Sequence, residues 1–246
     1  MEEKENRYGL LGKDISYSFS RGYFLEKFTK LNLSSHSYVN FDLKTISEFK
    51  SVLKQKNIAG LNVTIPYKEA IIPYLDNLDS TAKKIGAVNT IKFTKTGLKG
   101  FNTDAYGFEK AISIHLKSVH QKALILGTGG ASKAIAYVFT QLNIPYKFVS
   151  RRPKAHQIAY TDLNIKTIQE YQIIVNCSPV GTYPNINDKP NLSYEGLSKN
   201  HLLFDLIYNP KKTAFLKMGE KAGSITENGL SMLEFQAEKS WEIWNS

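Results

Sequence analysis

A glycine-rich turn stands between an apolar run and a stretch whose apolar residues have helical spacing. The turn consists of Gly127, Thr128, Gly129, Gly130, Ala131 and Ser132. Gly127 permits a sharp turn, and Gly129 leaves room for a pyrophosphate to approach bare backbone at the helix N-terminus. An ordinary strand-to-helix turn is the alternative, and Ser132 replaces the third glycine of the G-x-G-x-x-G pattern.

Two arginines follow the next predicted strand, at the place where a dinucleotide site holds the adenosine ribose. Ser150, Arg151 and Arg152 come directly after the segment 145–149. NAD sites carry an acidic residue about 20 residues beyond the glycines, whereas arginines suit the 2′-phosphate of NADP. A solvated basic pair is the alternative, but the glycine-rich turn upstream favours NADP(H) as the cofactor.

Lys68 lies just beyond a predicted strand, 60–65, that is stopped by Pro66. Ligands bind at the carboxyl ends of strands in open α/β sheets. A lysine held there can protonate a carbonyl oxygen while hydride arrives at the carbon. On spacing alone, an ordinary surface lysine is the favoured interpretation.

Ser18 and Ser20 alternate in a segment that we predict to be extended, so their side chains point the same way. Two hydroxyl groups side by side can hold a carboxylate. A serine-rich loop that caps the following helix is an equally good interpretation of the same residues.

Composition limits the class of protein. The 246 residues allow two domains, 42% of them are hydrophobic, and no apolar run is long enough for a membrane span. The polar N-terminus does not have the pattern of a signal peptide, so we expect none, and Cys177, the single cysteine, fits a reducing cytoplasm. The five histidines show no ligand spacing, so we expect no metal. The net charge of +10 comes from scattered residues, which favours small anionic substrates over nucleic acid.

Strands and helices alternate along the chain, which predicts an α/β fold with a mostly parallel sheet. The predicted strands are 8–12, 37–41, 60–65, 123–127, 146–150, 172–176 and 202–207, and the predicted helices include 24–31, 46–54 and 232–244. We place a domain junction at Asp104, where a new helix opens. The prediction is an N-terminal open α/β substrate domain (1–104 plus 230–246) and a Rossmann-like NADP-binding domain (105–229), with the C-terminal helix returning to the first domain.

The order of these motifs resembles that of the shikimate dehydrogenase family over nearly the whole chain. The matching segments are Ser18 and Ser20 (S-x-S), 62–68 (N-V-T-x-P-x-K), 86–90 (G-A-V-N-T), 100–107 (G-x-N-T-D-x-x-G), 127–132 (G-x-G-G-A-[SA]), 176–182 (N-A-T-P-x-G-M), 205–210 (D-x-x-Y-x-P) and 229–237 (G-x-x-M-L-x-x-Q-A). The departures from the family pattern are Asp14, Tyr17, Arg21, Ser150 and Arg152 on either side of Arg151, and the pair Cys177 and Ser178.

The resemblance implies reversible reduction of 3-dehydroshikimate to shikimate by NADPH, in aromatic amino-acid biosynthesis. Lys68 and Asp104 would form the catalytic pair. The implied substrate-binding residues are Ser18, Ser20, Asn62, Thr64, Asn89, Tyr208 and Gln236. The implied cofactor-binding residues are Gly127, Gly129, Gly130, Ala131, Ser150, Arg151, Arg152, Gly229 and Met232.

Three alternative functions remain at this point. A quinate/shikimate dehydrogenase using NAD is disfavoured by Arg151 and Arg152, and a ligand-sensing regulator without catalysis is disfavoured by the presence of Lys68 and Asp104. Nucleic-acid binding through the positive charge is the third. We expect a small-molecule substrate, neither a nucleic-acid nor a membrane partner, a cytoplasmic location, and a monomer or homodimer.

Overall fold

The computed structural model describes residues 5–16 and 18–246. The segment 1–4 of the polar N-terminus, and Tyr17, one departure from the family motif, lie outside the described residues. The chain divides into a first unit, Met1–Thr103 with Ala237–Ser246, and a second unit, Asp104–Gln236. These limits differ from the predicted domains at Asp104 and over 230–236, which fall in the second unit.

The first unit contains a six-stranded mixed sheet in the order β2-β1-β3-β5-β6-β4. Its strands are β1 (Asn6–Gly12), β2 (His36–Asp42), β3 (Ile58–Val63), β4 (Asn77–Leu78), β5 (Thr90–Thr94) and β6 (Gly97–Phe101). Its helices are α1 (Phe19–Lys30), α2 (Phe49–Val52) and α3 (Ser80–Ile85), with 3-10 turns at Ile46–Glu48 and Ile72–Tyr74. β1 pairs in parallel with β2 and β3, whereas β5 is antiparallel to both β3 and β6.

The second unit contains a six-stranded sheet in which every described pairing is parallel. Its strands are β7 (Ala123–Leu126), β8 (Tyr146–Ser150), β9 (Gln157–Ala159), β10 (Ile173–Asn176), β11 (Leu202–Asp205) and β12 (Ile225–Glu227). The order is β12-β11-β10-β7-β8-β9. Numbered within the unit this is 6-5-4-1-2-3, the Rossmann order, whose ligand site lies at the switch point between β7 and β10. The predicted α/β fold with a Rossmann-like unit is confirmed.

Helix α4 (Asp104–Ser113) precedes β7, and the other helices of the second unit each follow a strand of its sheet. These are α5 (Gly130–Gln141), α6 (Ile165–Glu170), α7 (Ala214–Lys221) and the start of α8 (Leu230–Asn245), with 3-10 turns at Tyr160–Asp162 and Tyr194–Gly196. Among the described residues, no helix has the length and apolar character that a membrane span requires.

Helix α8 belongs to both units, because the division falls between Gln236 and Ala237. Its last two turns enter the aromatic core of the first unit. The Trp244 indole nitrogen donates to the Ile91 carbonyl at 3.1 Å, and its ring lies 4.9 Å from that of Tyr8. A Cβ on Gly60 would collide with the Trp244 ring, so glycine is required where this indole crosses β3.

Candidate functional site

The backbone around Lys68 is fixed at the carboxyl end of β3. The Thr64 amide donates to the Leu11 carbonyl at 2.8 Å, and the Val88 amide donates to the Lys68 carbonyl at 2.7 Å. Between them, the buried Tyr67 hydroxyl donates to the Leu43 carbonyl at 2.7 Å. Burial, with a smaller effect of nearby acidic groups, raises the Tyr67 pKa and keeps it a donor. The half-buried Lys68 therefore starts from a rigid segment at the strand end, as predicted.

A buried hydrogen-bond network lies beside this segment in the first unit. We call it the amide network, and its members are Tyr38, Asn62, Asn89, Thr90, Thr103 and Ser240. Asn62 Oδ1 accepts from the Tyr38 hydroxyl at 2.8 Å, and its Nδ2 lies 3.0 Å from Ser240 Oγ and 3.2 Å from the Asn89 carbonyl. Both polar ends of the Asn62 side chain thus have partners within the protein, which suits a supporting role.

The second asparagine of the amide network, Asn89, holds Thr103, which is the residue before Asp104. The Thr103 amide donates to Asn89 Oδ1 at 2.6 Å, while Asn89 Nδ2 donates to the Thr103 hydroxyl at 2.9 Å. Asn102 donates its side-chain amide to the Ala87 carbonyl at 2.9 Å. Asp104, the first residue of α4, is buried.

Ser18 and Ser20 do not alternate in an extended segment, so that prediction was wrong. Ser18 is the N-cap of α1, and its side chain accepts a hydrogen bond from the Ser20 amide at 3.2 Å. Because Ser18 caps the helix, α1 begins at Phe19, which is earlier in the chain than the predicted start at Phe24. The hydroxyl of Ser18 still has its own proton to donate, because in this bond the oxygen is only an acceptor. The capping interpretation holds, and it leaves carboxylate binding open to Ser18.

The glycine-rich turn connects β7 to α5 as predicted, and Gly127 has a conformational requirement of its own. Gly127 adopts a φ of 115°, and a Cβ there would come 3.3 Å from the Cys177 carbonyl oxygen. A Cβ on Gly129 would meet no described atom within 4 Å, so the backbone at the start of α5 faces open space. Ser132, in place of the third glycine, is buried and donates to the Gly129 carbonyl at 2.6 Å.

Ser150 ends β8, and its hydroxyl accepts from the Arg152 amide at 3.2 Å. The Arg151 and Arg152 side chains are exposed, and within 5–16 and 18–246 neither forms a salt bridge. The Arg151 charge acts on Tyr160, opposing the increase in pKa that burial causes. A guanidinium group at this strand end therefore remains available for an anion.

A second polar cluster, which the sequence did not lead us to expect, joins the carboxyl ends of β10 and β11. Asp205 Oδ1 accepts from Asn176 Nδ2 at 3.0 Å and from the Ile207 amide at 3.1 Å, and Oδ2 accepts from Thr213 at 2.6 Å. Burial raises the Asp205 pKa to about 6, although these hydrogen bonds oppose it. We call Asn176, Asp205, Ile207 and Thr213 the carboxylate cluster.

The start of α8 is packed tightly against two neighbours in the second unit. A Cβ on Gly229 would collide with the Leu206 carbonyl, and the Gly229 amide donates to the Ile207 carbonyl at 3.2 Å. Met232 and Gln236 are both buried, and Gln236 Nε2 donates to the Leu233 carbonyl at 2.9 Å. Gly229 thus has a packing requirement of its own in addition to its proposed place at the cofactor.

Each unit holds a different part of the predicted site. The first unit carries Ser18, Ser20, Asn62, Thr64, Lys68 and Asn89, and the second carries Asp104, the glycine-rich turn, Ser150, Arg151, Arg152, Tyr208, Gly229, Met232 and Gln236. Tyr38, Ser240, Asn176 and Thr213 were missed as supporting residues. Ser240 stands four residues after Gln236, on the same side of a helix, which is the signal that could have found it.

Comparison with known proteins identifies relatives over almost the whole chain. A family model described as shikimate dehydrogenase substrate binding domain matches residues 10–91. Shikimate dehydrogenase (NADP(+)) from Methanosphaera stadtmanae is 38% identical over an alignment of 256 positions, which covers 96% of this chain and 90% of that protein.

Solved structures agree with these sequence matches. Shikimate dehydrogenase 1 from Peptoclostridium difficile is 38% identical with a TM-score of 0.82, covering 98% of this chain and 91% of that chain. The shikimate 5-dehydrogenase of Thermus thermophilus, solved in complex with NADP(H) and shikimate, is 29% identical with a TM-score of 0.86, covering 97% and 93%.

Proposed function

The chain belongs to the shikimate dehydrogenase family, and from this premise we propose that it reduces 3-dehydroshikimate to shikimate reversibly with NADPH. The observation that carries the proposal is Lys68, held at the carboxyl end of β3 beside the amide network, where a proton donor for a ketone is needed. The first unit is proposed as the substrate domain, and the second as the NADP domain. We also propose that the enzyme works in the cytoplasm, as a monomer or homodimer.

The residues of the second unit fit NADP(H). The open backbone at Gly129 and the N-terminus of α5 suit the pyrophosphate. Arg151 at the end of β8, with no carboxylate partner among the described residues, suits the 2′-phosphate. NADPH supplies the hydride for the ketone carbon when it is bound.

The chain's own residues bind the substrate and move its proton. Ser18, at the N-terminus of α1, donates its hydroxyl proton to the substrate carboxylate, and the helix dipole favours that charge. Lys68 gives a proton to the ketone oxygen as the alcohol forms, and Asp104 accepts a hydrogen bond from a substrate hydroxyl. Ser20, Thr64, Asn89, Tyr208 and Gln236 complete the contacts, and Asn62 supports Asn89 through the amide network.

Replacing Lys68 by alanine tests the assignment. We expect kcat for shikimate oxidation with NADP to fall by a factor on the order of 10² to 10⁴, with shikimate affinity nearly unchanged. The control is Lys84→Ala, which removes an exposed lysine from α3. The same assay with quinate and with NAD tests the alternative substrate and cofactor. A Lys68→Ala enzyme that keeps more than about half of the wild-type kcat would refute the role.

A further inference from the structure

Asp205 is a buried carboxylate to which the proposed reaction gives no task. Its side chain lies at the end of β11, fully shielded from solvent. Charged groups are rarely buried unless they are paired, because they lose their hydration. Asp205 has no cationic partner among the described residues, and its three hydrogen-bond donors are neutral. The free energy lost by burying this charge indicates that the carboxylate has a role that an uncharged side chain could not fill.

An ionised carboxylate differs from an amide because it only accepts hydrogen bonds. Asn176 must therefore turn its Nδ2 group toward Asp205, at 3.0 Å, which leaves its Oδ1 facing the opposite way. That oxygen accepts from the Ser178 amide at 3.1 Å and from the Ser178 hydroxyl at 2.6 Å. Asn176 Nδ2 also donates to the Val180 carbonyl at 3.3 Å, so Asp205 and the loop 177–181 hold the Asn176 amide in the same direction.

The same carboxylate closes the segment that carries Tyr208. Asp205 Oδ1 accepts from the Ile207 amide and Oδ2 from Thr213, so the ends of the loop 206–212 are held by one side chain. Ile207 is held from the other side, because its carbonyl accepts from the Gly229 amide at 3.2 Å. Tyr208 comes next in the chain and is one of the proposed substrate contacts.

We propose that Asp205 is a positioning residue, whose acceptor-only carboxylate holds Asn176, Ile207 and Thr213 together and through them places the loop 177–181 and Tyr208. The inference rests on the proposed function for its kinetic consequence and on the carboxylate cluster for its structural one. The titratable groups that share this environment are Cys177 and Tyr194; burial raises the pKa of both, and the Asp205 charge raises them further. Both are neutral at pH 7, so Asp205 is the charge that directs the cluster.

Asp205→Asn is the test, because it keeps the shape of the side chain and removes its charge. An asparagine has a single acceptor oxygen, so it can serve the Asn176 and Ile207 donors or the Thr213 donor but not all three. Removing a buried charge should leave the thermal midpoint at neutral pH equal to or above that of wild type. We expect kcat/KM for shikimate to fall by about tenfold, mainly through a raised KM, because Tyr208 is placed to bind rather than to move a proton.

The control is Asp188→Asn, which makes the same chemical change at an exposed position and should leave kinetics unchanged. Hydrogen exchange of the segments 177–181 and 206–212, measured without ligands, should be faster in Asp205→Asn and unaltered in the control. Wild-type kinetics in Asp205→Asn, or a loss of activity that merely follows a lower thermal midpoint, would overturn the proposal. If the wild-type enzyme does not oxidise shikimate, the proposed function fails, and unaltered exchange in the two segments would still overturn the inference on Asp205.

Discussion

Replacing Ser18 by alanine should remove two interactions whose sizes can be separated. The Ser18 side chain accepts from the Ser20 amide as the N-cap of α1, and such a cap contributes about 1 kcal/mol to stability. Its proton is proposed to bind the substrate carboxylate, and a hydrogen bond to a charged group is worth roughly 1.5–3 kcal/mol. We therefore expect Ser18→Ala to lower the thermal midpoint and to raise KM for shikimate roughly 10- to 150-fold.

Two further variants at Ser18 assign these effects. Glycine is a good N-cap that costs only a few tenths of a kcal/mol, but it has no hydroxyl. Ser18→Gly should therefore raise KM for shikimate as much as alanine does, with a thermal midpoint close to that of wild type. Aspartate caps as well as serine. Ser18→Asp should fold normally and bind shikimate worst, because its charge opposes the substrate carboxylate.

Steady-state kinetics with varied shikimate, together with thermal unfolding of each variant, makes the measurement. Ser20→Ala keeps the backbone amide that serves the cap but removes a side-chain hydrogen bond to the buried Tyr38, so its effect on KM is to be compared with its own thermal midpoint. A shikimate analogue with a neutral hydroxymethyl in place of the carboxylate should lose affinity in wild type and much less in the double alanine variant. If Ser18→Gly binds shikimate as wild type does, Ser18 is only a helix cap and the proposed substrate orientation is wrong.

Two more predictions concern the second unit. Arg151→Ala should reduce the preference for NADP over NAD by about tenfold or more, because a charge-assisted contact to the 2′-phosphate is lost, with Arg152→Ala as the comparison; equal losses with both cofactors would contradict it. Burial, and then the charges of Lys117 and His201, lower the pKa of His120, so the unfolded chain binds this proton more readily. The contribution of His120 to the free energy of unfolding should be fully present above the usual histidine pKa of about 6.5. It should be lost as the pH falls through the lowered pKa that His120 has in the folded protein. In denaturant titrations, the free energy of unfolding of wild type should fall more on acidification than that of His120→Gln. Parallel pH profiles of the two proteins would refute the assignment.

The sequence predicted the parallel strands well, because their signal is local. The buried strands β7, β10 and β11 are continuous apolar runs bounded by polar residues, and periodicity finds such segments. The hairpin of β5 and β6 was missed, although alternation over 90–94 and Gly97, with a φ of 114°, mark it. The predicted helix 46–54 is shorter, a 3-10 turn followed by α2.

Some residues of the candidate site could be predicted from their neighbours in the sequence, and others meet only in the folded chain. Spacing located Lys68 at the end of a strand and the glycine-rich turn before a helix, since each depends on neighbours in the chain. The amide network could not be predicted, because Asn62 and Ser240 meet across most of the chain. Nor could periodicity show that Asp205 accepts hydrogen bonds from three separate segments, since that requires the strand order.

The division of α8 between the two units has a consequence for biosynthesis. All residues of the second unit, Asp104–Gln236, are contiguous, so this unit can fold as soon as it leaves the ribosome. The first unit starts to emerge earlier, yet the Trp244 indole that fills its aromatic core arrives only after the whole second unit has been synthesised. Until then Tyr8 on β1 and Gly60 on β3 lack the indole that covers them in the folded protein. The half of the enzyme that is made first is thus completed last, and its nascent form is the one that a chaperone would have to protect.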